Sequence, residues 1–139
     1  MIGEIDSWTN EAESCLAYII ILDQFSRNMF RDTPQMYAAD SLALDASKYA
    51  IKKGFDKQVK KGRSFFYLPL MHSENLENQE ECIKQFEILS EGKESGTEYA
   101  IKHRDIIRQF GRFPHRNKIL SRESTKEEIE FLTKPGSPF

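Results

Sequence analysis

Thr33-Pro-Gln-Met-Tyr-Ala-Ala-Asp-Ser-Leu-Ala-Leu-Asp-Ala-Ser-Lys-Tyr-Ala-Ile-Lys-Lys-Gly54 carries a helix start, a helical seam and a helix stop in one run. Threonine is a favoured N-cap, proline suits the first helical position, and a glycine after Lys52-Lys53 suits the residue just past a C-terminus. Between these signals Met36, Ala39, Ala43, Ala46 and Ala50 step by 3, 4, 3 and 4 residues, the spacing of one helical face. Small side chains on that face let a second helix approach to the lower end of the roughly 8–10 Å interaxial range. The run therefore predicts helix packed on helix.

The rest of the chain reads the same way. A helix is expected over 10–27, opened by an Asn10/Glu13 capping box. Its centre, Leu16-Ala-Tyr-Ile-Ile-Ile-Leu22, is apolar on nearly every side and suits a helix surrounded by others. In Phe65-Phe-Tyr-Leu-Pro-Leu-Met71, Pro69 falls inside a helical pattern and is expected to kink or end it. A fourth helix over 76–89 is expected to bury Cys82, Ile83, Phe86 and Leu89 and to stop before Gly92. A fifth starts near Ser95 or Thr97 and buries Tyr99, Ile106 and Phe110, with His103 on the same stripe, until Gly111 and Pro114 end it. A short last helix opens at Ser124 or Thr125 with Glu127 or Glu128, and Pro135-Gly-Ser-Pro138 closes the chain. Val59 is the only valine and no segment alternates apolar with polar residues, so no sheet is expected. Short connections favour antiparallel neighbours. The predicted architecture is all-α, a stack of antiparallel helical hairpins in one domain over 1–139.

Composition narrows the function classes. The net charge is −2, from 20 basic and 22 acidic residues, which gives no whole-molecule case for nucleic acid or an anionic membrane. The longest apolar run, Cys15–Leu22, is far short of the ~20 residues of a membrane span. Glu4 and Asp6 do not resemble the basic flank of a signal peptide. Cys15 and Cys82 belong to no Cys/His cluster and read as buried thiols of a reducing compartment, so a cytoplasmic protein is expected.

Charge is segregated within this balance. Glu74–Glu98 holds eight glutamates against two lysines, whereas Lys102–Arg122 holds seven Lys/Arg against Asp105 alone. Arg104, Arg108, Arg112 and Arg116 recur every fourth residue, crowding cations along one strip. Guanidinium forks suit carboxylate or phosphate, so the strip points either to an acidic face of the protein itself, such as Glu77/Glu80/Glu81, or to an anionic ligand. Phe110 and Phe113 interleave with the arginines, but no nucleic-acid motif frames them and nucleic acid is not an expected partner.

Other polar residues stand out singly. Asp23 precedes Arg27 by four residues, the favourable order for a helical ion pair; with Arg27 and Asn28 it could instead form a pocket wall. His72 and Glu74 could supply a metal ligand and a general base, though His-x-Glu without further ligands at defined spacing is a weak metal signal. A histidine bonded to backbone freed near Pro69 is the plainer account of His72. The plainer account of Glu74 is that it favours the N-terminus of the following helix. No Gly-rich phosphate loop, Ser-His-Asp order or dinucleotide fingerprint is present, and no cofactor or metal is expected.

Leu22-Asp-Gln-Phe-Ser-Arg-Asn28, Phe65-Phe-Tyr-Leu-Pro-Leu-Met-His-Ser-Glu74 and His103-Arg-Asp-Ile-Ile-Arg-Gln-Phe-Gly-Arg-Phe-Pro-His-Arg-Asn117 resemble the signature blocks of the family known as domain of unknown function 924. Phe131–Phe139 is similar to that family's C-terminal end. The resemblance implies an all-helical superhelix similar to tetratricopeptide repeats, and no particular activity. It also implies an additional N-terminal segment in other members, so this chain is expected to be shortened and to expose apolar surface near Ile19–Leu22.

Two functions follow as expectations. The first is a binding or scaffold module for a peptide or protein partner. The second is an enzyme or small-molecule binder for a phosphate or carboxylate ligand, with Asp23, His72, Glu74 and His115 as proton-transfer candidates. Its anion-binding candidates are Arg27, Asn28, Arg104, Arg112, Arg116 and Asn117. Convergence of the 23–28, 72–74 and 112–117 blocks on one concavity favours the second reading; separate pairing at helix ends favours the first.

Overall fold

The computed structural model describes residues 6–91 and 96–136, and among them every regular element is helical, with no strand. The readings placed on Glu4, Gly92, Ser95 and Pro138 lie outside the described residues. After a 3-10 turn at Asp6–Asn10 the chain enters α1 (Ala12–Ile20), passes through a π-helical turn (Ile21–Phe25) and continues as α2 (Ser26–Met29). The next elements are α3 (Asp40–Lys53), α4 (Leu68–Met71), α5 (Leu76–Ser90), α6 (Thr97–Phe110) and α7 (Lys126–Thr133). No helix of the described residues is long and apolar enough to cross a membrane.

The alanine face of α3 behaves as its spacing requires. Ala43, Ala46 and Ala50 are buried, α1 packs against α3, and Ile19 and Cys15 of α1 enter the same core as Phe66, Leu70, Cys82 and Phe86. Both thiols are buried and unpaired with each other, and burial pushes Cys15 up to about 11 and Cys82 up to about 12. Gly54 ends α3 in the left-handed region (φ 75°), its N–H bonded back to Ala50 and Ile51. The most extensive helix–helix contact joins α5 to α6. At the start of α6, Gly96 has φ 78°, and a Cβ there would stand 2.7 Å from the Phe86 ring, so the turn admits no side chain.

Several local expectations are corrected. The Asn10/Glu13 capping box does not form: Asn10 ends the 3-10 turn, Glu11 occupies the N-cap, and the Ser14 hydroxyl reaches the carbonyls of Trp8 and Glu11 instead. Thr33 takes the N-cap position with proline just inside, but of a 3-10 turn, Pro34–Tyr37; its hydroxyl makes no cap bond and donates to the Phe30 carbonyl at 2.7 Å, and α3 starts only at Asp40. Met36 and Ala39 therefore precede the helix whose face they were expected to share. Pro69 does not interrupt a helix but opens one, in the first turn of α4 after a separate 3-10 turn at Arg63–Phe66. A missing N–H is harmless there. On α6 the buried stripe is Ala100, His103, Ile106 and Ile107, while Tyr99 is 60% exposed. The run around α1 is not covered on all sides either: Ile21, Phe25 and Met29 are exposed.

Two devices set the turn after α4. Gln79, fully buried on α5, donates to the carbonyls of Met71 (2.7 Å) and Ser73 (2.6 Å), taking up acceptors that the end of α4 leaves open. Asn75 caps α5 by accepting from the Asn78 N–H. Between these ties lie His72, Ser73 and Glu74. At the other end of the chain, α7 opens with a complete capping box, Thr125 with Glu128.

Candidate functional site

The π-turn presents Asp23, which is 1% exposed, toward the turn after α4. One extra residue in a helical turn changes which side chains face a neighbour, and such insertions recur at functional sites. Asp23 Oδ1 lies 2.7 Å from His72 Nδ1 and accepts from Arg27 at 3.0 Å; Oδ2 accepts from Gln24 at 2.7 Å. Burial opposes ionisation of Asp23, but the hydrogen bonds from His72 and Gln24 and the Arg27 charge outweigh it and hold the carboxyl below its ordinary range. A carboxylate can only accept, so His72 Nδ1 carries the proton and its Nε2 keeps the lone pair. Burial lowers the His72 pKa, the Asp23 partnership works against that, and the charges of Arg27 and Arg116 add to the lowering. The direction is toward a neutral imidazole.

Arg27 extends this pair to a second carboxylate. Its guanidinium donates to both oxygens of Asp40, at 2.7 and 3.0 Å. The fork thus ties the end of α1–α2 to the first turn of α3. Arg116, 7% exposed, stacks between the rings of Tyr37 and Phe113, its guanidinium carbon 4.4 and 4.7 Å from their centroids. It donates to the His72 carbonyl at 2.8 Å and stands 3.8 Å from Asp40 and 3.9 Å from Glu74.

Of these groups Arg27, Tyr37, His72, Phe113 and Arg116 line a cavity of about 600 Å³, together with Arg31, while Asp23 and Asp40 stand outside its lining. All three histidines of the chain, His72, His103 and His115, line it as well. Burial pushes His103 down to about 4, against a hydrogen bond between its Nδ1 and the Tyr99 carbonyl. Burial and then the Arg116 charge push His115 down to about 4. At pH 7 the wall therefore combines uncharged imidazoles with guanidinium groups, beside the acidic side chain of Asp32. Among the described residues no group of three or more His, Cys, Asp or Glu is placed to hold a metal ion.

A second network holds the wall without lining this cavity. Glu74 accepts the Phe113 N–H at 2.6 Å and a fork from Arg122 at 2.9 and 3.2 Å. Arg122 also donates to the Phe113 carbonyl and to Asn117. Buried Glu128 takes a fork from Arg112 at 2.7 and 2.9 Å and a longer bond from Asn117. The Arg112 hydrogen bonds hold Glu128 down to about 2. The turn after Gly111 is thus clamped from two sides.

The structure brings together Asp23, Arg27, His72, His115 and Arg116. It leaves Arg104 outside, paired with Glu80 and Asp105 on the surface, and Arg108 reaches the same Glu80. Arg112 and Asn117 face Glu128, Glu74 faces the Phe113 turn, and exposed Asn28 accepts from Arg31 at 3.4 Å, away from the cavity lining. The plainer accounts of His72 and Glu74 are corrected: His72 bonds a carboxylate, not freed backbone, and Glu74 bonds the 113 turn as well as preceding α5. Sequence reasoning missed Asp40, Tyr37, Arg31 and Arg122. Only Arg122 carried a signal, as a fifth arginine in the basic tract.

Helices alone among the described residues, a π-turn bearing a buried aspartate, and a cavity whose wall carries imidazole and guanidinium groups describe an all-α protein with a polar pocket. The chain belongs to the family described as bacterial protein of unknown function (DUF924), matched over residues 1–136. A solved structure, a protein of unknown function, ATU0120, from Agrobacterium tumefaciens, is 45% identical, with a TM-score of 0.88 over 94% of this chain and 73% of that chain. No curated protein matches.

Proposed function

We propose that the cavity binds a small carboxylated or phosphorylated molecule and that His72, oriented by Asp23, exchanges a proton with it. The single observation that carries this reading is the meeting of the Asp23–His72 pair, 2.7 Å apart, with Arg27 and Arg116 on one cavity. A carboxylate bonded to Nδ1 fixes the tautomer and ring orientation and stabilises the imidazolium formed when Nε2 takes a proton. Arg31, exposed at the cavity and bonded only at long range to Asn28, and Arg116 are the cations closest to serving an incoming anion, since Arg27 is engaged by two carboxylates. The reaction would be acid–base chemistry on a small anion.

A thermal-shift screen of inorganic phosphate, sugar phosphates and small mono- and dicarboxylates tests it. A ligand at a hundredfold its Kd stabilises by about 2.7 kcal/mol. The expected result is a hit that shifts wild type, shifts Arg31→Ala less, and still shifts His72→Gln, which lacks the proton acceptor. No shift with any anion, or equal shifts in wild type and Arg31→Ala/Arg116→Lys, would remove the reading.

A second reading has one observation in its favour. The exposed Ile21, Phe25 and Met29, four residues apart, offer an apolar strip to a peptide or protein partner, the scaffold role in which helical hairpins stack as in tetratricopeptide repeats. Peptides selected from a display library should lose binding to Phe25→Ser if that strip is used.

A further inference from the structure

His72 and His103 border a second cavity besides the polar one. It measures about 360 Å³, and its other walls include Leu68, Met71 and Phe86. The two imidazoles are thus shared by a chamber that contains arginines and one that contains none. An apolar cavity of about 150 Å³ is enough to take benzene. This space is more than twice that, so it accommodates a ring or a medium-length alkyl chain.

We infer that the ligand is amphipathic: its anionic group sits beside Arg31 and Arg116, and an alkyl or aryl group occupies the apolar chamber beside His72 and His103. The inference rests on the anion reading above and names the substrate class for it. Shared walls commit the chamber to the same molecule, because His72 and His103 line both spaces. Polar and apolar walls on either side of the proton acceptor also orient the ligand, since reversing it would put the anion against Leu68, Met71 and Phe86 and the hydrocarbon against the guanidiniums. A charged group buried among apolar side chains without a partner is strongly disfavoured. The bond that reacts would therefore lie at the junction of head and tail.

The test is isothermal titration of the full chain with two homologous series, acetate to hexanoate and methyl to hexyl phosphate, with hexanol as the neutral control. The expected result is a rise in affinity of about fourfold per methylene that enters the chamber, the transfer preference of a buried CH2, in whichever head-group series binds. Ser64→Phe, at the edge of the chamber, should abolish the dependence on chain length and leave the shortest anion unaffected. Should that variant fail to fold, Tyr99→Ser, at an exposed residue of the same rim, should reduce the slope. A short anion that binds with no gain along the series, or a slope unchanged in both variants, overturns the amphipathic ligand and leaves the anion reading standing. Hexanol binding as well as hexanoate and hexyl phosphate would instead overturn the anion reading. No binding by any member of either series would overturn both.

Discussion

Asp23 and His72 are 49 residues apart in the chain and 2.7 Å apart in space, and their hydrogen bond ties the π-turn to the residue that ends α4. The aspartate has His72, Arg27 and Gln24 as partners, so its charge is compensated although its side chain is nearly inaccessible.

Asp23→Ala should destabilise the fold by about 3–5 kcal/mol, the cost of breaking a buried charged network by removing one partner. Asp23→Asn keeps the shape and should cost less. Urea denaturation of the two variants checks the order, and equal midpoints for wild type and Asp23→Ala would show the pair to be energetically idle.

Stability should fall in mild acid. His103 and His115 have folded-state values near 4, below the ordinary 6.5, so the unfolded chain binds more protons between those values and is favoured as pH drops through the window. Their neutral forms cost nothing above it. Thermal melts from pH 7.5 to 4 should show a declining midpoint, with a shallower decline in His115→Gln.

Glu128 acts over a lower window. Its folded value of about 2 against an ordinary 4.5 means that its contribution is complete above about 4.5 and is lost as pH falls toward 2. Glu128→Gln should lower the melting midpoint at neutral pH and flatten the acid limb below pH 4.5.

The arginine strip should divide on mutation. Arg112→Ala strands buried Glu128 and should lower the melting midpoint clearly, whereas Arg104→Ala removes an exposed pairing and should change stability by less than about 1 kcal/mol. Neither lines the polar cavity, so a ligand that stabilises wild type should stabilise both variants by a similar increment.

Cys15 and Cys82 are inaccessible, and burial raises both. Ellman's reagent should label neither in the folded protein within minutes, and both in urea. Rapid labelling under native conditions would show that the core opens locally.

Helices were legible because their signals are local. Ala43, Ala46 and Ala50 show their face by spacing, Gly54 and Gly111 mark ends, and Thr125 with Glu128 forms the capping box its spacing announces. The site was legible only in part. A fourfold arginine repeat describes one strip only while the helix lasts, and Gly111, at φ 73°, ends α6 between Arg108 and Arg112. The last two arginines therefore face Glu128 and the cavity while the first two stay on the surface. Asp40 drew no notice in the sequence, since its partner Arg27 lies 13 residues earlier on another helix. The π-turn had no sequence signal at all: Leu22-Asp-Gln-Phe-Ser-Arg fits a plain helix equally well.

That turn makes the protein tolerant of one change in length. Removing a residue within Ile21–Phe25 would convert the wide turn to ordinary α-helix, and because the turn already absorbs the surplus residue, the helix after it would keep nearly its present facing. Arg27 would still meet Asp40, whereas the residues inside the turn, Asp23 among them, would be redistributed. A single-codon deletion at Leu22 is consequently a way to displace the buried aspartate from His72 while leaving the flanking helices in register.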